Sequence, residues 1–341
     1  MTVATFIETL IKIAVLFAIL LTGFAYLTLF ERRVLAALQS RVGPNRVGPG
    51  GFLQPAADGL KLLFKEDIIP RDADKILYVL APIAVVITAL MAVAVVPFGP
   101  TIEVFGYTLP LYLADINIAV LFFLGLGSLQ VYGVVLAGWA SNNKYALMGG
   151  LRASSQMISY ELAMGLSLLA VVMLAGSLSM VDIVNAQAGG RWFILLQPIG
   201  FIVFAITMVA ETKRAPFDLP EAEQELVAGF HTEYSGMKFA MFYMGEYISI
   251  IIISAVAATL YLGGWRGPFV AELPILGPIY LFLKVLVFLF VFVWLRATFP
   301  RLRYDRLMTV GWKILIPAAL LNLAITAVAV VAADTQFFGL L

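Results

Sequence analysis

Residues 6–30 read FIETLIKIAVLFAILLTGFAYLTLF, a predominantly apolar run near the amino terminus. A helix that crosses about 30 Å of hydrocarbon needs roughly 20 such residues. The run is also longer than the apolar core of a signal peptide, and Glu31-Arg32-Arg33 follows it without a small-residue cleavage pattern. We therefore predict that this run is the first membrane span.

Seven further runs have the same character; they lie at 78–98, 115–138, 157–178, 192–211, 239–262, 276–299 and 310–333. The whole chain is 62% hydrophobic and only 13% charged, whereas soluble domains are about half apolar and about a quarter charged. The runs are too long and too uniformly apolar for the strands of a membrane barrel. We predict an all-α polytopic membrane protein, with eight transmembrane helices in a single integral membrane domain over residues 1–341.

Lysine and arginine are distributed unevenly between the two sets of loops. Most of them lie in the loops that follow the odd-numbered spans, at 31–77, 139–156, 212–238 and 300–309, whereas the opposite loops hold only Arg191 and Arg266. The positive-inside rule predicts that the basic loops are the inner loops and that both termini lie outside. We favour the inner (plasma) membrane of a bacterium on composition, with the mitochondrial inner membrane as the alternative.

The chain has no cysteine and one histidine, His231. A thiolate metal site, a cysteine-ligated iron–sulfur cluster and a multi-histidine metal site are therefore excluded, and we expect no metal and no redox centre in this chain. Neither a G-x-G-x-x-G fingerprint nor a Walker A sequence occurs. If a nicotinamide takes part, another polypeptide binds it, and no nucleic-acid partner is expected.

The first inner loop has two parts. Residues 43–51 read GPNRVGPGG, which predicts tight turns. After Pro55, apolar residues follow helical spacing with Asp58, Lys61 and Lys65 on another face, which predicts an amphipathic helix at the membrane interface. Two interpretations remain open: a surface helix with snorkelling lysines, or a lid over a cavity that admits a lipid-like ligand from the bilayer.

Acidic residues lie where a membrane protein can least accommodate them. Glu161 and Glu246 fall inside predicted spans, and Glu211 ends the fifth. A charged side chain inside a span costs about 2.5–3.5 kcal/mol on insertion scales, so each should face protein or water. The inner loop that follows adds further acids; they are Asp218, Glu221, Glu223, Glu225 and Glu233. Helix capping and contacts with neighbouring helices explain some of them, and crowded carboxylates that exchange protons through water are the alternative.

Several of these segments together resemble the H-type (chain 1) membrane subunit family of respiratory complex I, the NADH-quinone oxidoreductase. The resemblance is carried by 31–33 with 43–61, by 139–145, by 152–161 and by RAPFDLPEAE at 214–223 with EYSG at 233–236. The length, the eight predicted spans and the orientation fit across the whole chain.

This resemblance implies roles that composition could not reveal. It implies that Glu31, Arg32 and Asp58 line or gate a quinone chamber. It also implies an acidic proton-relay funnel made of Glu161, Glu211, Glu221, Glu223, Glu225 and Glu246. The chain itself would bind no cofactor, with quinone as the substrate and with NADH, FMN and iron–sulfur clusters on partner subunits. Those partners would be hydrophilic quinone-module subunits on the inner face and small and antiporter-like subunits in the membrane.

Two other functions remain open at the level of sequence. The chain could be the membrane subunit of a related membrane-bound hydrogenase or formate hydrogenlyase, although the intact first-loop signature argues against this. It could instead be a stand-alone ion-coupled transporter that uses its intramembrane acids as coupling sites. The patterned inner loops favour docking to soluble partners over independent transport.

Overall fold

Apolar helices account for most of the protein. The computed structural model describes residues 3–104, 107–220 and 223–338. Within them, seven helices are long and apolar enough to cross a membrane, and the number is eight if one bent pair of helices forms a single span. The prediction of an all-α polytopic membrane protein is therefore confirmed, with seven or eight candidate spans against the predicted eight and one short β-hairpin besides.

The continuous spans begin and end close to the predicted runs, with two large differences. They are α1 (Val3–Leu38), α3 (Lys75–Ala92), α4 (Ala119–Ala140), α5 (Lys144–Ala175), α10 (Gly236–Tyr261), α11 (Leu276–Thr298) and α13 (Ile316–Phe338). The first helix continues two turns past the predicted end at residue 30, through the basic residues that follow. The fourth begins 13 residues before the predicted start at residue 157, where small residues such as Gly149 replace bulky apolar ones.

The remaining elements are short. They are α2 (Gln54–Phe64), the strands β1 (Thr101–Val104) and β2 (Tyr107–Pro110), α6 (Met180–Ala186), α7 (Phe193–Leu196), α8 (Pro198–Glu211), α9 (Glu223–Leu226) and α12 (Tyr304–Val310). The two strands pair antiparallel, with Thr101 opposite Pro110. The sequence analysis did not predict them, because four-residue strands carry no detectable alternation.

The fifth predicted span is broken. The chain bends by 71° between α7 and α8, where Gln197 is non-helical and Pro198 supplies no backbone N–H. Polar side chains of α13 occupy the break: Gln197 donates to Thr326 at 2.6 Å and accepts from Asn322 at 2.7 Å. A buried amide at this depth is stable because both ends of its side chain are hydrogen-bonded.

The four predicted inner loops lie together on one face, which we call the basic face. The amide of Asp74 donates to Ala140 at 3.1 Å, and that of Leu302 donates to Pro216 at 3.0 Å. The first loop folds back on α1, since Arg33 donates to the carbonyl of Gly50. The turn requires glycine at Gly51, where φ is +81° and an added Cβ would lie 2.3 Å from the carbonyl oxygen of Pro44.

On the opposite face, a partly buried lysine binds the loop that follows α10. Lys284 in α11 donates to the carbonyls of Leu262, Gly264 and Arg266 at 2.7–2.8 Å. Its ammonium also lies 5.1 Å from the centre of the Trp192 ring. The lysine therefore caps the carboxyl end of α10, where the last carbonyls of a helix have no partner within the helix.

Candidate functional site

A buried cluster of charges lies where α1, α10 and α11 meet the loop after α8. Glu31 accepts hydrogen bonds from Arg214 at 3.2 Å, from Tyr247 at 2.9 Å and from Arg296. Arg214 also forms an ion pair with Glu246, with 2.5 Å between Nε and Oε1. One arginine thus joins two carboxylates that the sequence singled out, one as quinone-binding and one as part of the proton relay.

Arg214 stays charged in spite of its burial. It is 7% exposed, and its guanidinium lies 4.4 Å from the centre of the Tyr247 ring. Burial favours the neutral form, but the charges of Glu246, Tyr247 and Glu31 outweigh that effect and raise the pKa of Arg214 well above its usual value. The cluster therefore contains a permanent cation against which the state of either carboxylate can change.

A cavity of about 480 Å³ lies between α1, α2 and α10, next to this cluster. We call it the lateral cavity. Most of its walls are apolar and include Phe24, Leu62, Met241 and Met244. None of the residues of α2 is buried, and Leu60 and Leu63 are more than half exposed. The helix therefore forms one wall of the cavity while its outer side chains stay exposed, an arrangement that fits both the lid and the surface-helix interpretations.

The charged groups of the lateral cavity are Arg32, Asp58 and Lys61. Arg32 and Asp58 form an ion pair at 2.6 Å, and Lys61 lies 3.3 Å from the same carboxylate. Partial burial raises the pKa of Asp58, but the hydrogen bond and charge of Arg32 outweigh it and lower the pKa below its usual value. The structure thus brings Arg32 and Asp58 together at the cavity, and Glu31 lies behind the wall, in the ion cluster.

Two smaller cavities continue from the lateral cavity into the membrane domain. The first, of about 20 Å³, is lined by Glu246, Lys213, His231 and Tyr243, among others. Since Tyr243 lines the lateral cavity as well, it separates the two. The second, of about 40 Å³, is lined by Glu211 together with residues of α3, α4, α5 and α10. We call these the Glu246 cavity and the Glu211 cavity.

Glu211 and Glu161 meet at adjacent residues of α4. Ser128 donates a hydrogen bond to Glu161, and an added Cβ on Gly127 would lie 3.5 Å from Oε1 of Glu211. These two acids therefore lie against neighbouring residues of α4, at the Glu211 cavity.

Glu225, another predicted relay residue, does not join this pair. Glu225 lies at the surface, where it pairs with Arg152 at 2.5 Å and with Arg301 at 2.9 Å. The hydrogen bond from Arg152, together with Arg301, lowers the pKa of Glu225. Glu221 lies outside the described residues, and so does the side chain of Glu223.

Comparisons with known proteins identify the family. The profile of the NADH dehydrogenase family matches residues 11–327. The chain is 56% identical to one of the NADH-quinone oxidoreductase H subunits of Geobacter metallireducens, over 93% of this chain and 94% of that protein. The chain belongs to the family of NADH-quinone oxidoreductase H subunits. An H subunit of Geobacter sulfurreducens is 57% identical over 92% and 94% of the two chains, and that of Thermomicrobium roseum is 54% identical over 92% and 93%.

The sequence predicted no functional role for three residues of the site, Arg296, Tyr243 and Tyr247. Arg296 carried a signal in the sequence, since a cation in the last turn of an apolar span implies a buried partner. Tyr243 and Tyr247 carried none, because aromatic residues are frequent in membrane helices. Only the packing of α10 against α1 and α3 shows that these two tyrosines line the site.

Removing Arg214 should destabilise the protein strongly. Arg214→Leu would leave Glu31 and Glu246 short of their shared counter-charge, and breaking a buried pair costs about 3–5 kcal/mol. The matched control is Arg301→Leu, which removes a partly exposed pair with Glu225 worth about 0–1 kcal/mol. Thermal unfolding of the purified complex measures both. Equal losses in the two variants would contradict the assignment of a buried cluster.

His231 should contribute to acid sensitivity. Burial, followed by the charge of Lys213, lowers the pKa of His231 from about 6.5 to about 4. Between these values the unfolded chain binds more protons, so stability falls as the pH drops through that window. We expect His231→Gln to flatten the fall in Tm between pH 6.5 and 4. An unchanged slope would show that the folded protein protonates this ring as readily as the unfolded chain does.

Proposed function

We propose that this membrane subunit of NADH-quinone oxidoreductase binds the quinone head group in the lateral cavity. We further propose that its buried acids convert quinone reduction into proton movement. The observation that carries the proposal is the lateral cavity itself, which opens beside exposed leucines and ends at the Arg32–Asp58 ion pair. Family membership favours this function over the hydrogenase and transporter alternatives.

The lateral cavity has the chemistry that a lipid-soluble quinone requires. Its volume of about 480 Å³ lies within the usual range for small-molecule sites, which are mainly apolar with a few polar groups that fix orientation. The apolar walls suit the ring and the isoprenoid tail. Arg32 and Lys61 supply hydrogen-bond donors for carbonyl oxygens, and Asp58 holds both in position.

Coupling between quinone reduction and proton movement then follows from a change of charge in a poorly hydrated cavity. Reduction of a quinone to a quinol consumes two electrons and two protons, and negative charge that appears in the lateral cavity acts strongly through a low-dielectric wall. Tyr243 forms part of that wall, and Glu246 with its partner Arg214 lies behind it. A change in protonation at Glu246 would alter the ion cluster and, through the two small cavities, the state of Glu211 and Glu161. The relay that we propose is Glu246, Glu211 and Glu161, with Glu221, Glu223 and Glu225 at its aqueous end.

Cofactors and partners complete the proposal. NADH, FMN and iron–sulfur clusters belong to partner subunits, because this chain has no cysteine to hold a cluster. The hydrophilic quinone-module subunits would dock on the basic face, and antiporter-like subunits would pack beside the spans. We place the basic face toward the cytoplasm of a bacterium and both termini outside the inner membrane.

Filling the lateral cavity should weaken quinone binding selectively. Ala240→Phe would project a ring into the cavity, and we expect the KM for quinone to rise about tenfold, the equivalent of about 1.4 kcal/mol. Electron transfer to a water-soluble acceptor upstream should be unchanged. Ala329→Phe on the exposed side of α13 is the matched control. A normal KM in the Ala240 variant would argue that quinone binds elsewhere.

Neutralising Glu211 should impair coupling without preventing assembly. Because Glu211→Gln keeps the size of the side chain but cannot accept a proton, we expect quinone reductase activity and proton pumping to fall at least about tenfold. Glu272→Gln, at an exposed position on the opposite face, is the control for the substitution. Full coupled turnover in the Glu211 variant would exclude a relay through this residue.

A further inference from the structure

Gln130 occupies a position that the proposed relay does not explain. It lies on α4, and its side chain lines both the Glu246 cavity and the Glu211 cavity. Its amide nitrogen lies 3.1 Å from Oγ of Ser249 on α10, and its amide oxygen 3.3 Å from the same hydroxyl. Ser249 lines the Glu211 cavity and is itself held by a hydrogen bond of 2.8 Å to the carbonyl of Gly245. The Gln130–Ser249 pair thus lies between the two cavities.

Each of these cavities contains a buried polar atom that needs a partner. In the Glu211 cavity, Oε2 of Glu211 is buried and accepts no hydrogen bond from the described residues. In the Glu246 cavity, Nδ1 of His231 is buried and likewise has no hydrogen-bond partner among the described residues. Buried polar atoms are almost always hydrogen-bonded, and a cavity of about 10–15 Å³ with polar walls can hold a water molecule. At about 40 and 20 Å³, both cavities are large enough.

We propose that the Gln130–Ser249 pair is a gate between two water-filled cavities and controls proton passage between Glu246 and Glu211. This inference rests on the proposed function. In the closed arrangement, the amide of Gln130 binds Ser249 and interrupts the chain of water. When the amide rotates away, water links the cavities, and a proton that leaves the carboxyl group of Glu246 is taken up by the carboxylate of Glu211. Gln130 has no proton to exchange at neutral pH, so it is a positioning residue.

The chemistry of the pair suits a gate. An amide and a hydroxyl both donate and accept hydrogen bonds, so either can exchange its partner for water at little net free-energy difference. A carboxylate at position 130 could replace the amide as an acceptor, whereas an apolar side chain of the same size would exclude water from the passage. Gln130→Leu should therefore block the passage and Gln130→Glu should leave it open to water, although both remove the amide.

The test compares Gln130→Leu, Gln130→Glu and Ser249→Ala in the assembled complex. Proton transfer between positioned groups contributes about 10²–10⁴-fold. Gln130→Leu would interrupt the water between Glu246 and Glu211, and partial detours through other water make a loss of about tenfold the expectation for coupled quinone reductase activity. Proton transfer should then limit turnover, so the solvent isotope effect in D₂O should exceed that of the natural protein. Gln130→Glu should keep turnover within about twofold of the natural protein, since a carboxylate, like the amide, can hydrogen-bond the water in both cavities.

Ser249→Ala keeps the helix intact, so it still tests the gate if the complex with Gln130→Leu does not assemble. It should change the solvent isotope effect, because the amide of Gln130 loses the partner that holds it. Ser254→Ala is the matched control: Ser254 is on the same helix and makes the same bond to the carbonyl four residues earlier, at 2.7 Å to Ile250.

The outcomes separate the gate from the function on which it rests. If Glu211→Gln is impaired, two results would overturn the gate. One is a Gln130→Leu variant whose turnover and isotope effect both equal those of the natural protein. The other is a Ser249→Ala variant whose isotope effect equals that of the natural protein. Natural turnover in Glu211→Gln as well would overturn the proposed relay itself. Equal impairment by Leu and Glu at position 130 would show that the amide is needed for packing alone and would also reject the gate.

Discussion

The guanidinium of Arg214 is the interaction on which the site depends. It contacts Glu31 from the first membrane helix and Glu246 from α10, and Glu31 in turn binds Arg296 of α11. These partners lie up to 265 residues apart in the sequence. Without the cation, two acids would face each other in a place with little water, and their ionised forms would be strongly disfavoured. The ion cluster therefore fixes the helices that form both the lateral cavity and the Glu246 cavity.

The same constraint explains how a signal could travel from the surface of the membrane to its interior. A balanced group of charges is stable only in one protonation state, so a new charge in the neighbouring cavity changes which state is favoured. In the relay that we propose, the path inward passes two partitions, first Tyr243 and then the Gln130–Ser249 pair, before it reaches Glu211 and Glu161. Small polar cavities separated by single side chains suit stepwise movement of protons better than an open channel would.

The amount that could be predicted from sequence differed between the fold and the site. Seven spans follow from uninterrupted apolar runs, because no other solution satisfies the backbone in lipid. The bend at Gln197 was missed although Pro198 marks it, since hydropathy continues across the break. In the site, charged residues inside spans were visible because each is unfavourable without a partner. Gln130 and Tyr243 were not, because a neutral side chain is significant only through the surfaces that it separates, and these arise from contacts between distant helices.

Lys284 has a consequence for how the molecule can move. Its ammonium binds three carbonyls at one end of α10 and lies over Trp192, so that end of the helix is clamped to α11 and to the start of α7. Tyr243 and Glu246 lie in the other half of α10, Ser249 lies at its middle, and all three line the cavities. If α10 tilts, the end bound by Lys284 is the natural pivot. The displacement would then grow toward the ion cluster, where a slight movement is enough to change which groups touch.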